Sequence, residues 1–77
     1  MKRAIDSLRE EFEAIDWYNQ RADACVNEEL RTILRHNAKE EKEHACMLIE
    51  WIRRNDPEMD HELRSNLFKE GTINGEH

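Results

Sequence analysis

The stretch Glu41-Lys42-Glu43-His44 sets a carboxylate and an imidazole three residues apart, close enough on a helix to aim at one cation. On a wheel of about 100° per residue, Leu30, Glu41, His44 and Leu48 fall within about 40° of Asn37. Ile33, Leu34, Trp51 and Ile52 fall within about 60° of it. Asn37, Glu41 and His44 therefore interrupt an apolar stripe at its centre, while Lys42 and Glu43 point elsewhere. A second carboxylate does the same near the N-terminus: Ala4, Leu8, Ile15, Tyr18 and Ala22 lie within about 60° of Glu11. A carboxylate on a dry face needs a cation or a raised pKa. A hydrogen-bonded Glu–His pair that only holds helix register is the plain alternative. The central position of the pair, the matching Glu11 and the nearby Tyr18 favour metal.

The donor types narrow the choice of ion. Carboxylates with a little imidazole suit iron or manganese, whereas structural zinc favours thiolates and more histidine. A carboxylate-bridged diiron centre in a four-helix bundle takes a Glu from each of two helices and a Glu-x-x-His from each of the other two. This chain supplies one of each, half a centre. Two hairpins about a two-fold axis would complete it and would also cover their apolar faces.

The elements that must position these residues are helical. The chain has 77 residues, enough for one domain, and at that length a lone core is marginal. Charged residues are 39 % of the chain and mean hydropathy is -1.03, but the apolar positions are spaced at helical intervals. One Pro and two Gly leave little material for turns. Ile5, Leu8, Phe12, Ile15, Tyr18 and Ala22 predict a first helix over 4–25. Asn27 is the expected N-cap of a second, over 28–54, with Glu28 and Glu29 suited to its positive end. The short joint at Val26-Asn27 makes the two an antiparallel hairpin. Asn55-Asp56-Pro57 ends helix two and starts a short third helix over 57–69 with Gly71 as its stop. The expected architecture is all-α: a single helical domain over 1–71 and a disordered tail over 72–77.

Composition excludes several classes. A net charge of -6 gives no basic surface for nucleic acid but would concentrate small cations. No apolar run approaches the roughly 18 residues of a membrane span, and Met1-Lys2-Arg3 opens no secretory signal. Cys25 and Cys46 form no CxxC, and reduced thiols in a cytoplasmic protein are expected, with a disulfide as the alternative. Trp17 and Trp51 are expected to pack at helix interfaces. His36, His61 and His77 are expected at the surface, and Asn37, on the stripe beside the site, is expected to hydrogen-bond a ligand.

The stretches EEFEAIDWYNQRADA, LRHNAKEEKEHACMLIEWIRRNDPE and ELRSNLFKEG resemble the encapsulated ferritins, short ferritin-like proteins that work inside encapsulin nanocompartments. The resemblance runs from Leu8 to Gly71. It implies a ferroxidase that oxidises Fe(II) with dioxygen at a diiron centre shared by two subunits, two irons per homodimer, with dimers assembled into an annular decamer. It further implies Glu11, Glu41 and His44 as ligands and Tyr18 beside the centre. Glu10 and Glu13 resemble residues that attract incoming iron. His36, Glu40 and Glu43 resemble positions that hold additional ions. Ca2+, Mn2+ and Zn2+ are candidate substitutes for iron. The implied partner is the encapsulin shell, and the implied location is the cytoplasm, within that shell. Members of the family carry a shell-targeting peptide on a flexible tail, and Asn74-Gly75-Glu76-His77 has nothing apolar enough to serve as one. A non-redox, metal-stabilised assembly module is the alternative function, and a purely structural helical dimer is a third.

Overall fold

The computed structural model describes residues 1–74, so His77 and the end of the expected tail lie outside the described residues. Three helices follow in order: α1 (Lys2–Ala24), α2 (Glu28–Asn55) and α3 (Pro57–Asn66). There is no strand among the described residues. The expected bounds of the first two helices hold to within two residues. The α1–α2 joint is fixed by local chemistry. The side chain of Asn27 accepts from the Leu30 amide at 2.9 Å, satisfying one of the free donors at the start of α2. The Arg31 guanidinium donates to the Cys25 carbonyl at the other side of the turn, and the Cys25 thiol donates to the Asn27 carbonyl at 3.3 Å.

The second joint is as economical. Asp56 accepts from the amides of Glu58 and Met59, and Pro57 occupies the first position of α3, where a missing N–H costs nothing. The third helix stops at Asn66, three residues before the expected Lys69. Leu67 turns extended and Phe68 takes φ 58, so the left-handed residue that ends the helix is Phe68, not Gly71. The reason is packing: Leu67 and Phe68 are both exposed, and no apolar contact draws the last turn onward.

The core is minimal. Among the described residues only Ala22, Ala38, Ala45 and Ile52 are buried. Ala38, Ala45 and Ile52 recur every seventh residue, a narrow seam against which α1 lies along its length. Alanine lets the two backbones approach closely, and it also leaves the large side chains outside the seam. Ile5, Phe12, Leu30, Ile33 and Trp51 are all exposed. Within the single chain neither tryptophan is enclosed, and Trp51, 46 % exposed, stands near Ala4 and Ser7 of α1. Trp17 is 58 % exposed and carries the Arg21 guanidinium over its ring instead. The chain measures 44 × 33 × 13 Å, one helix thick. Its radius of gyration of 15.7 Å exceeds the roughly 11–12 Å of a compact domain of this length.

An ion network rather than a core sets the angle of α3. Arg53 donates to both oxygens of Glu50 on α2 and to Asp60 on α3. Arg54 adds a bond to Glu50, and Arg64 one to Asp60. Hydrogen bonds from Arg53 and Arg54 hold the Glu50 carboxyl down at about 2, and those from Arg53 and Arg64 lower that of Asp60.

Two outcomes follow from this packing. Replacing Ala38 by Leu wedges the seam and should lower the melting temperature, by about 1–3 kcal/mol of stability, measured by circular dichroism; Lys39→Leu on the exposed flank should not. Both depressed carboxyls bind protons less tightly in the folded chain, so their contribution is full above roughly pH 4 and is lost as pH falls through the folded values, about 2 for Glu50. Amide exchange in α3 should therefore accelerate on acidification before that of the α1–α2 seam, and Arg53→Ala should produce the same pattern at neutral pH.

Candidate metal centre

Glu11 comes from the middle of α1, and Glu41 and His44 from the middle of α2, one turn apart. The Ala38–Ala45 seam brings the two helices close enough for these three to meet. His44 Nδ1 lies 3.6 Å from Glu11 Oε2 and 3.5 Å from Glu41 Oε2. One ligand atom from each of the three falls within 4.8 Å of the others. Both carboxylate side chains are 23 % exposed and the imidazole 46 %.

These separations decide against a register-holding hydrogen-bonded pair. A nitrogen–oxygen distance of 3.5–3.6 Å is beyond good hydrogen-bond length. Glu11 Oε2 is buried and has no hydrogen-bond partner at all. Leaving a buried charged oxygen unsatisfied costs more than an ordinary lost bond. A cation among the three donors removes that cost. The donor set, two carboxylates and one imidazole, fits a hard or borderline divalent ion better than a thiolate-seeking one. One chain leaves much of such an ion's coordination open.

The other residues singled out from the sequence are placed apart. Tyr18 is half-buried on α1, seven residues and about 10 Å of helix rise beyond Glu11. Glu10 and Glu13 are exposed and flank Glu11 without joining its cluster. His36 Nε2 pairs with Glu40 Oε1 at 2.8 Å on the solvent side of α2, and Glu43 stands exposed. Glu11, Glu41 and His44 form the one group of three converging His, Cys, Asp or Glu side chains among the described residues. Asn37 is half-buried on α2, one turn before Glu41. Cys25 and Cys46 are both free, so the disulfide alternative is not realised. Sequence reasoning missed the Glu50–Arg53–Asp60 network, although Glu50 and Arg53 sit at a helical i, i+3 spacing that signals such a pair.

A helical hairpin with a glutamate on one helix and a Glu-x-x-His on the other carries donors of the kind that ferritin-like bundles use to hold metal. The chain belongs to the EncFtn-like family, whose model its residues 1–70 match. It is 58 % identical over 71 residues to the encapsulated ferritin-like protein of Rhodospirillum rubrum, an alignment covering 92 % of this chain and 51 % of that one. It is 42 % identical over 52 residues to the encapsulin nanocompartment cargo protein EncC of Myxococcus xanthus, covering 68 % of this chain and 40 % of that protein. The chain thus spans about half or less of the length of these relatives. Its fold matches the crystal structure of protein ne0167 from Nitrosomonas europaea with a TM-score of 0.93 and 60 % identity, over 97 % of this chain and 82 % of that one. No helix among the described residues is long and apolar enough to cross a membrane.

The orphaned oxygen predicts how the centre trades stability for binding. Without metal, Glu11→Gln should melt no lower than the parent chain. With Mn2+ or Zn2+ at a hundred times its dissociation constant, the parent should gain about 2.7 kcal/mol and the variant much less, read as the metal-dependent shift in melting temperature.

Proposed function

We propose that the chain is a ferroxidase: two copies bring their Glu11, Glu41 and His44 together across a two-fold axis and oxidise Fe(II) to Fe(III). The observation that carries this reading is the convergence of two carboxylates and an imidazole around the partnerless Glu11 Oε2, on a face whose large apolar side chains are left uncovered. A second copy supplies what one chain lacks. It doubles the donors to four carboxylates and two imidazoles, enough for two irons, and it dries Leu30, Ile33 and Trp51.

Iron is here the substrate. Two Fe(II) ions each give up one electron, and dioxygen takes the pair with two protons to give peroxide. The role of Glu11 and Glu41 is to offset the charge gained as Fe(II) becomes Fe(III), since carboxylate oxygen binds the harder ion better. His44, neutral when it ligates, adds a donor without further negative charge. Glu10 and Glu13 extend the acidic approach, and the charge of -6 favours cation encounter. His36, Glu40 and Glu43 are a weaker outlying stop for ions. Tyr18 stands two turns of α1 from Glu11, and a role for it at the centre rests on the family resemblance alone.

One layer of helices encloses no volume in which mineral could grow. We therefore place the product's storage in a surrounding encapsulin shell in the cytoplasm. Supporting this are the names of the relatives from R. rubrum, which is encapsulated, and M. xanthus, which is an encapsulin nanocompartment cargo protein. A ring of five dimers is the assembly that the family resemblance implies. A metal-stabilised module without redox chemistry would have the same donors.

Glu11→Ala, Glu41→Ala and His44→Ala should each drop aerobic Fe(II) oxidation to the buffer rate, because each change strikes the shared centre twice. Glu43→Ala should retain most of it. Native mass spectrometry under anaerobic Fe(II) should find two irons per two subunits in the parent. Wild-type rates in all three Ala variants would refute the assignment, and iron binding without faster oxidation would favour the non-redox module.

A further inference from the structure

The elbow between α2 and α3 forms an apolar groove that the metal centre does not use. Ile49, Leu63, Leu67 and Phe68 give it apolar walls, Arg53 and Arg64 stand among them, and it holds a cavity of about 770 Å³. That volume falls within the roughly 300–1,000 Å³ of small-molecule sites. Its direction keeps it clear of the three donors. At about 100° per residue, Ile49 and Arg53 lie about 120–160° around α2 from Asn37, whereas Glu41 and His44 lie within about 40° of it. A ligand in the groove and a cation at the centre therefore do not compete for space.

The charges around the groove are uneven. Three guanidiniums, of Arg53, Arg54 and Arg64, share two carboxylates, those of Glu50 and Asp60. Arg53 is fully engaged, because its Nε and both terminal nitrogens bond Glu50 or Asp60. Glu50, the one carboxylate in the lining, is held in turn by Arg53 and Arg54. Arg64 is different. It gives Asp60 only its Nε, at 2.9 Å, and its side chain is 68 % exposed. Its two terminal nitrogens have no hydrogen-bond partner among the described residues. In a chain of net charge -6, this is a local surplus of positive charge beside an apolar slot.

From this charge complementarity we infer that the α2–α3 groove binds a free alkyl carboxylate. Its chain lies against Ile49, Leu63, Leu67 and Phe68, and its headgroup sits on the terminal nitrogens of Arg64. Two parallel N–H donors match the two oxygens of a carboxylate, and partial desolvation by the apolar walls strengthens that pair. The face that α2 offers from Cys46 to Arg53 rises about 10 Å, which suits a chain of medium length. The occupant is a single amphiphile and not a lipid surface, because an anionic bilayer repels a chain carrying -6. The inference is independent of the proposed oxidation.

The test is isothermal titration of the full chain with sodium decanoate, kept below the concentration at which it forms micelles. One decanoate per chain should bind saturably. Arg64→Gln should weaken binding about tenfold, the size of one charge-assisted hydrogen bond, with helical circular dichroism unchanged. Arg64→Lys should recover part of the loss, and decanol should bind the parent no better than decanoate binds Arg64→Gln. Cys46, also in the lining, reports on the same surface. In a Cys25→Ser background its maleimide labelling should slow with the same midpoint as the titration. Absence of saturable binding, equal affinity for decanol, or an Arg64→Gln variant of parental affinity each overturns the inference. So does adsorption to anionic phospholipid vesicles in place of decanoate. A Cys46 already protected without ligand, in a chain that native mass spectrometry finds associated, also overturns it, since another protein surface then fills the groove. Failure of the metal centre would show separately, as lost iron stoichiometry with decanoate binding intact.

Discussion

Everything in this chain depends on how closely α1 and α2 can approach. The three residues that α2 commits to the seam are Ala38, Ala45 and Ile52, and α1 answers with Ala22. Small side chains at seven-residue intervals pull the two backbones together and fix their register. That closeness lets a glutamate of α1 come within 3.6 Å of a histidine of α2. Larger seam residues would have built a better core, and they would have spread the donors apart. The same choice leaves Ile5, Phe12, Leu30, Ile33 and Trp51 wet, so the folded chain keeps a strong drive to associate.

Electrostatics assigns different work to the two ends of α2. In its middle, carboxylates and imidazole stand near each other with no bond to satisfy Glu11 Oε2. Toward its C-terminal end every carboxylate of the Glu50–Asp60 pair is matched by arginine, and the pKa of Glu50 falls to about 2. One cluster is left short of positive charge and the other is saturated with it. The first is a place for a cation to enter. The second is a brace, and it holds α3 where hydrophobic contact is too thin to do so.

Much of this was legible in the residues. The helical spacing of apolar positions, Asn27 as a cap and Asp56-Pro57 as a break gave the first two helices to within two residues and the start of the third, because these signals act locally. Glu11, Glu41 and His44 were legible because polar groups stood where the apolar stripe had its centre, an inconsistency that marks a functional position. The end of α3 was not legible. Leu67 and Phe68 look like the last turn of an amphipathic helix, and only the absence of an internal surface for them to cover shows why the helix stops. The tryptophans were expected at helix interfaces, and within one chain a seam of alanines has no room to enclose an indole. The His36–Glu40 pair follows the i, i+4 spacing that lets helix side chains meet, whereas Glu43, two turns from His36, lies beyond its reach.

The slab is 13 Å thick, and that has a consequence for access. A body one helix deep has no interior, so nothing within the isolated chain can meter the passage of an ion, a proton or an oxidant to His44 and its neighbours. A ferritin subunit of four helices carries its own walls. Here any wall around the three donors would have to come from a neighbour, and a neighbour seated there would lower the dielectric around them.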